Sequence, residues 1–244
     1  MTRASSLILA IALTAAAARA SAQPAAWTDH GYVSAGADVR VVATNFGDVI
    51  HPIDFAEAAV VNTTYKMRIA PGIEIGGGAR VWRNLAIGAA ATWVSRPDAG
   101  SVDAQVPHPF VFGKPRAVSG DASLGRHETA VHVQAVWMMP LTARWQLAVA
   151  GGPSWVSLRQ DLVDDVTVTQ TYPYDTATYA GVHSQRVSKS RAGFNAGVDA
   201  TYLFRPRVGV GVSAAFSRAR IPLSPSASTD VGGLHVNGGL RVRF

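Results

Sequence analysis

The chain of 244 residues contains no cysteine. Disulfide bridges, thiolate metal ligands and a lipid-modified cysteine are therefore excluded, and the fold has to be stabilised by hydrogen bonding and packing. Charge is also scarce, since 16% of the residues are charged while 48% are hydrophobic. The formal net charge of +6 is spread along the chain without a clustered basic patch, so nucleic-acid binding is not expected.

Long apolar runs are missing from all but the N-terminus. Residues 1–22 combine a basic start at Arg3, an apolar run over 7–18 and small residues at 20–22, which is typical of a cleaved signal peptide. The run is too short to cross roughly 30 Å of hydrocarbon, and Arg19 interrupts it. Because no later apolar run approaches the length of a transmembrane helix, this chain could span a membrane only as a barrel.

Apolar and polar residues alternate with a period of two in eight segments, which predicts eight strands. The predicted strands are 31–44, 66–82, 85–96, 127–139, 144–159, 190–204, 207–218 and 232–244. Short connections at 83–84, 140–143 and 205–206 alternate with long ones at 45–65, 97–126, 160–189 and 219–231. Short periplasmic turns and long extracellular loops are typical of outer-membrane barrels. The sequence therefore predicts that residues 23–244 form one all-β domain, an eight-stranded antiparallel up-and-down transmembrane β-barrel.

The two faces of the predicted strands differ chemically. In the seventh strand Val210 and Val212 share one face, while Gly209, Gly211 and Ser213 share the other. A soluble β-sandwich also alternates, but it would place its large residues inside and many charges outside. Here the apolar face is broad and the polar face is small and rich in glycine, as a narrow lumen requires. The pattern favours the barrel.

The interior of an eight-stranded barrel is wide enough only for side chains or one small ligand. Charged residues of inward parity are expected to form ion pairs that fill this lumen, because unpaired charges are costly there. The predicted lumen network consists of Asp38, Arg40, Arg68, Glu74, Arg80, Glu128, His132, Asp199, Arg241 and Arg243. A purely structural plug is the favoured interpretation, and a gated ion path is the alternative.

The last predicted strand ends in alternating apolar residues, Leu240, Val242 and the aromatic Phe244. These residues resemble the C-terminal signal by which the barrel assembly machinery recognises its substrates. With this strand and its topology, the chain resembles the small eight-stranded outer-membrane barrels, the OmpA-transmembrane, OmpX, OmpW and opacity-protein-like group. The resemblance implies the outer membrane of a Gram-negative-type bacterium, with the lipid bilayer and the assembly machinery as partners. It does not specify a function.

Two prolines, Pro71 and Pro153, fall on the lipid-facing parity toward the long-loop end of their strands. Each removes a hydrogen-bond donor from a closed ladder, so a β-bulge at the barrel rim is expected. The alternative is a gap in the wall through which a small hydrophobic compound leaves sideways, as the OmpW-like resemblance implies.

The long connections carry aromatic residues. Residues 169–185 lie between alternating segments and are expected to form a hairpin that extends strands five and six beyond the membrane. Exposed aromatics beside charges suit a surface contact, although packing of loop against loop is an equal alternative. The candidate contact residues are Phe110, Phe112, Tyr172, Tyr174 and Tyr179.

Catalytic and metal-binding motifs are not expected. His183 and Ser184 are adjacent in a predicted strand, so they point to opposite faces and cannot form a nucleophile and base pair. His127 and His132 are five residues apart, which also places them on opposite faces and makes them a poor metal site. The sequence therefore predicts no enzyme, no cofactor and no metal site. It predicts a structural or surface-interaction role, with an OmpW-like narrow channel for small hydrophobic solutes or ions as the alternative. A cell-surface ligand is the corresponding partner.

Overall fold

The computed structural model describes residues 26–41 and 44–244. The signal peptide predicted at 1–22 lies outside the described residues. Within the part of the chain that is described, no helix is long and apolar enough to cross a membrane.

The described chain is built from strands. In chain order they are β1 Gly31–Arg40, β2 Asn45–Ile50, β3 Ile53–Asp54, β4 Glu57–Ala58, β5 Val60–Lys66, β6 Ala70–Trp82, β7 Leu85–Ser95, β8 Asp98–Val106, β9 Arg116–Leu124, β10 Arg126–Pro140, β11 Trp145–Gln170, β12 Ala177–Leu203, β13 Val208–Pro222 and β14 Ser228–Arg243.

Eight of these strands close into an antiparallel barrel in the order β1-β14-β13-β12-β11-β10-β7-β6. The seam between β1 and β14 runs in register from the pair Tyr32 and Arg243 to the pair Arg40 and His235. Beyond it, the Phe244 N–H donates to the carbonyl of Gly31 at 3.0 Å. The predicted eight-stranded up-and-down barrel is confirmed.

The outer surface of the barrel is apolar. Val210, Val212 and Phe216 on β13 are 48%, 60% and 41% exposed, while Gly209 and Gly211 face the interior. Exposed aromatics lie at the short-turn end and at the opposite end of the strands. They are Trp82, Trp137, Trp145 and Phe204 at the first and Trp93 and Trp155 at the second. An apolar band between two aromatic girdles is the surface of an outer-membrane barrel, so the chain is one.

Neither proline introduces a β-bulge, so that prediction is wrong. Pro71 pairs in register with Val39 on β1, and Pro153 pairs in register with Phe194 on β12. On the other side of Pro153 the ladder with β10 is interrupted without a shift of register. The side-chain amide of Asn195 donates from the lumen to the carbonyls of Gly152 and Pro153, at 2.9 and 3.2 Å. The Asn195 side chain thus supplies a donor to two carbonyls beside the interruption.

The long connections, which the sequence analysis left as loops apart from one hairpin, are folded. Strands β2, β5, β8 and β9 form a four-stranded antiparallel sheet beyond the barrel. Strands β11 to β14 extend beyond the barrel and lie beside this sheet. Among them, β11 and β12 pair as far as Gln170 and Ala177. The predicted hairpin is therefore confirmed. We call the sheet and these strand extensions the cap.

The cap has its own hydrophobic core. Its buried members come from the four-stranded sheet and from the extended strands, and include Phe46, Val61, Tyr65, Val102, Val118, Leu124, Leu158, Leu162, Ile221 and Val231. One position in the cap requires glycine, since a Cβ atom at Gly120 would lie 2.2 Å from the Tyr179 ring. The sheet can approach β12 this closely only because residue 120 is glycine.

Candidate functional sites in the lumen and at the apex

A charged cluster lies where the barrel meets the cap. Arg40 forms an ion pair with Glu128, and Arg126 reaches the same carboxylate with its Nε at 2.6 Å. Arg126 Nη1 also donates to Gln160 Oε1 at 3.0 Å. Asp98 on β8 lies 3.8 Å from the Arg126 Nε. Burial, only partly offset by Arg126, raises the pKa of Asp98 to about 6.

A second polar layer crosses the middle of the lumen. Asp38 and His235 Nδ1 are 2.8 Å apart, and His132 Nδ1 and Ser154 Oγ are 2.7 Å apart. Asn195 donates to Ser154 Oγ at 2.9 Å. His132 and Ser154 have the spacing of a general base and a nucleophile, but both are buried and neither lines the lumen cavity. They link the neighbouring strands β10 and β11 on the inner face of the barrel.

The third layer is an ion pair toward the short-turn end. Arg241 donates from Nε and Nη2 to Asp199 Oδ2, at 3.0 and 2.8 Å, and from Nη2 to Asn237 Oδ1 at 3.1 Å. Thr201 Oγ1 donates to the other Asp199 oxygen at 2.6 Å. The guanidinium is therefore bonded on two sides, which fixes its position.

Trp27 occupies the short-turn end of the lumen and is 1% exposed. Its backbone N–H donates to Asn84 Oδ1 at 3.2 Å, its Nε1 donates to Asp29 at 2.9 Å, and its carbonyl accepts from Arg80 at 2.6 Å. The ring packs with Ala86, Val136, Met138 and Ala148. Above it lies a cavity of about 110 Å³. Glu74, Gln134, Asp199 and Arg241 contribute polar groups to the cavity wall.

The predicted lumen residues are distributed over these layers with one exception. Asp38, Arg40, Glu74, Arg80, Glu128, His132, Asp199, Arg241 and Arg243 lie in the interior or at its two rims. Arg68 does not, because β6 begins at Ala70 and Arg68 precedes it with an exposed side chain. The contribution of Arg68 is its carbonyl, which accepts from Arg40 at 3.3 Å.

Several partners were missed by the sequence analysis. The alternation places His235 and Asn237 on the same inward face as Arg241, but the predicted network did not include them. Arg126 shares the parity of Glu128 but precedes the predicted start of its strand. Trp27 precedes β1, and no periodic signal could have placed it inside the barrel.

A group of apolar side chains is exposed at the far end of the cap, on three different connections. Ile53, Phe110, Phe112 and Tyr172 are 72%, 75%, 75% and 82% exposed. Together with Phe55 we call them the apex patch. The sequence analysis predicted three of these residues and missed Ile53 and Phe55, which lie on the short β3–β4 hairpin.

Contacts between the connections hold the apex together. Gly113 N–H donates to Glu57 Oε1 at 2.8 Å, and Lys114 Nζ bonds Asp175 Oδ1 at 2.5 Å. The Lys114 ammonium lowers the pKa of the Asp175 carboxyl through this bond. The rings of Phe110 and Tyr174 lie 5.4 Å apart. Phe110 and Tyr174 therefore pack between two connections, while Phe110, Phe112 and Tyr172 remain exposed.

Tyr179 does not belong to the apex, and of the two alternatives given for it, packing of one connection against another is the one observed. It lies on β12, where its ring covers Gly120 and its hydroxyl donates to the Asp121 carbonyl at 3.0 Å. The residue is half-buried because the hairpin of β11 and β12 leans on the four-stranded sheet.

No family model matches the chain, and no curated protein matches it significantly. Among solved structures it is similar to Neisserial surface protein A, with 11% identity, 88% of this chain and 97% of that chain covered, and a TM-score of 0.49. OprG from Pseudomonas aeruginosa has 8% identity, coverage of 89% and 96%, and a TM-score of 0.45. Ail from Yersinia pestis has 9% identity, coverage of 87% and 99%, and a TM-score of 0.39. At these identities the likeness concerns the barrel fold alone.

Proposed function

We propose that this protein is a surface-interaction barrel, in which the membrane-spanning part anchors a folded cap whose apex patch binds another molecule outside the cell. The observation that carries the proposal is the apex patch itself, five exposed apolar side chains on three connections that are linked to one another by hydrogen bonds, an ion pair and ring contacts. Exposed apolar groups that are contiguous, unlike scattered ones, mark interaction sites. Phe and Tyr are also the residue types that supply large contact area at binding surfaces.

The cap supports this role because it presents the patch on a fixed frame. The ion pair of Lys114 with Asp175 and the contact of Phe110 with Tyr174 tie two connections to each other. Beneath them, Arg116 donates to Gln170, to the Tyr174 carbonyl and to the Pro107 carbonyl. A surface that is already ordered loses less conformational entropy on binding, so its affinity is higher.

We infer that the lumen is plugged and that passage of solutes is not the main role. This is supported by Trp27 at the short-turn end, by the ion pair of Asp199 and Arg241 that joins β12 to β14 inside the barrel, and by the buried charged cluster of Arg40, Arg126 and Glu128 toward the cap. The alternative is a narrow channel for ions or small hydrophobic solutes. The cavity of about 110 Å³ offers space for no more than a small molecule.

The test compares cells that display the wild-type protein with cells that display a triple variant, Phe110→Ser, Phe112→Ser and Tyr172→Ser. Adhesion to glycan arrays and to immobilised extracellular-matrix proteins is measured. We expect the triple variant to lose adhesion by about tenfold or more, since losing several aromatic anchors removes over 1 kcal/mol each. The matched control is Val49→Ser, an exposed apolar residue of the cap outside the patch, which should adhere like wild type.

Planar-bilayer recording separates the two functions. The surface-interaction proposal expects no steady conductance from the wild-type protein. A wild-type protein that conducts ions and gives no adhesion above cells lacking the barrel would overturn the proposal in favour of the channel.

We also propose that Leu240, Val242 and Phe244 are recognised by the barrel assembly machinery. Leu240 and Phe244 point outward with 56% and 55% exposure. Phe244→Ala should lower the fraction of heat-modifiable, membrane-inserted protein while export continues. Phe204→Ala is the matched control, because Phe204 is an outward aromatic at the same end of the barrel with 52% exposure. Equal assembly of the two variants would contradict a special role of Phe244.

A further inference from the structure

Three outward positions form a row across the cap end of the barrel wall. Ser95 on β7 pairs with His127 on β10, and His127 pairs with Arg159 on β11. All three side chains are exposed. Paired residues of neighbouring strands lie about 5 Å apart, so the side chains of this row are adjacent. His127 Nδ1 and Ser95 Oγ are 2.8 Å apart, which leaves the second ring nitrogen facing outward.

Two further arginines flank the row. Arg96 follows Ser95 directly, its backbone N–H donates to the Arg126 carbonyl at 3.1 Å, and its exposed guanidinium reaches the Ile69 carbonyl. Arg186 on the following strand pairs with Asp161, two residues beyond Arg159, and binds both of its oxygens, at 2.7 and 3.1 Å. The charge of the Asp161 carboxylate is thereby neutralised.

Arg96 and Arg159 carry charges without an ion-pair partner among the described residues. The two carboxylates behind them, Asp98 and Glu128, are buried on the inner side and are 2% and 6% exposed. Elsewhere on the wall Arg218 forms an ion pair with Asp230 at 2.7 Å, whereas the exposed residues Lys189, Arg191 and Arg220 form none among the described residues. Unpaired positive charge is therefore not confined to the row.

Tryptophans fix the height of the row relative to the membrane. Trp93 points outward two residues below the row on β7, and Trp155 points outward four residues below it on β11. These steps correspond to about 7 and 14 Å along the strands. Because Trp side chains lie at the level of lipid headgroups, the row lies at the headgroup level of the outer leaflet or just beyond it.

We propose that Arg96, His127 and Arg159 form a binding site for the phosphate groups of outer-leaflet lipids. Guanidinium groups bind phosphate oxygens through two parallel hydrogen bonds, and the free imidazole nitrogen adds a donor between them. Trp93 and Trp155 lie below the row, at the interface between the headgroup and the acyl chains of the same lipid. The site is independent of the apex patch and goes beyond the surface-interaction role proposed above.

The test measures binding of diphosphoryl lipid A to the detergent-solubilised full-length barrel by native mass spectrometry. The double variant Arg96→Gln and Arg159→Gln should bind this lipid about tenfold more weakly than wild type, because two charge-assisted bonds are lost. The matched control is Arg207→Gln, an exposed arginine at the short-turn end, which should leave binding unchanged. A heat-modifiability gel establishes that each variant is folded.

Two further probes identify the source of the phosphate. Dephosphorylated lipid A should bind wild type as weakly as the diphosphoryl lipid binds the double variant. Inorganic phosphate alone should not protect the row from arginine-specific modification. Equal binding of both lipids, an equal loss in Arg207→Gln, or capture of free phosphate in place of lipid would each overturn the proposal. None of these results bears on adhesion through the apex, so the two proposals fail separately.

Discussion

The charged side chains inside the barrel depend on particular partners. Arg241 is 8% exposed and holds Asp199 through two bonds, while Asn237 accepts a third. A charge removed from water is costly unless it is paired, so deleting one partner costs more than the net stabilisation that the pair provides. This difference between a single and a double substitution can be measured at this site.

We predict that Arg241→Met destabilises the barrel by about 3–5 kcal/mol, because Asp199 is left charged in the interior without its partner. The double variant Asp199→Leu and Arg241→Met should recover most of this loss. Urea unfolding of the refolded protein in micelles, followed by tryptophan fluorescence, gives both values. A double variant that is as unstable as the single one would show that the pair itself, and not the orphaned carboxylate, sets the cost.

Asp98 leads to a prediction about pH. Its folded-state pKa of about 6 lies above the usual 3.8, because burial disfavours the carboxylate. The native state therefore keeps a proton between about pH 4 and 6 that the unfolded chain releases. The stability due to this group is complete below about pH 4 and is lost as the pH rises through 6.

Asp98→Asn should therefore raise the unfolding midpoint at neutral pH and flatten the decline between about pH 4 and 6. Thermal unfolding in detergent at several pH values measures this. Asp103→Asn is the matched control, since Asp103 lies on the same strand with an exposed side chain and should change neither quantity. An unaltered pH profile in Asp98→Asn would contradict the assignment.

At the level of elements, Tyr65 joins the four-stranded sheet to the barrel strands. It is fully buried on β5, and its ring stacks on Phe46 with 4.4 Å between centroids. Its hydroxyl accepts from the Val163 N–H at 2.9 Å. The pairing of β11 with β12 shifts register between Val163 and Asp165, so this N–H lies at a bulge of the ladder.

Tyr65→Phe should cost about 1–2 kcal/mol, because a buried N–H loses its acceptor, and Tyr65→Ala about 3–5 kcal/mol, because the ring is lost as well. Protease accessibility of the cap on intact cells, together with the unfolding midpoint, reports both effects. Tyr179→Phe is the control, since its hydroxyl bond is at the surface and should matter less. Undiminished protease resistance in Tyr65→Ala would mean that the cap does not depend on this contact.

The sequence predicts the barrel strands well and the cap strands poorly, for a physical reason. A lipid-facing strand must alternate strictly, as β13 does, because one side meets hydrocarbon and the other a narrow lumen. Strands such as β5 and β8 meet water on one side and pair with each other across about 40 intervening residues. Both strands alternate in burial, but no short turn joins them, so the sheet was left as loops.

The same limit applies to the sites. Parity placed Asp38, Glu128 and Arg241 inside the barrel, but their partners are set by register, which alternation does not specify. To predict the row of Ser95, His127 and Arg159, one must know how three strands pair as well as which face each residue occupies. Composition identified the aromatic loops of the apex, while the contact of one of them with the β3–β4 hairpin, from Gly113 to Glu57, follows only from the folded cap.

At the scale of the whole molecule, the cap and the barrel share strands. Strands β11 to β14 run from the membrane into the cap without a break, and Ile221 on β13 is fully buried in the cap core. The six tryptophans lie at 27, 82, 93, 137, 145 and 155, all within the barrel part. Their fluorescence therefore reports the barrel alone, whereas circular dichroism reports all strands.

If the two parts unfold as one unit, a cavity made in the cap must weaken the barrel. We predict that Ile221→Ala lowers the unfolding midpoint by fluorescence and by circular dichroism equally, with a loss of about 2–5 kcal/mol. Ile53→Ala is the control, since this side chain is 72% exposed at the apex and its truncation should leave both midpoints in place. A fluorescence midpoint that stays at the wild-type value while circular dichroism shows an earlier step would mean that the cap melts on its own. The apex would then be carried by a separately stable layer, because continuity of the strands alone would not couple it to the membrane anchor.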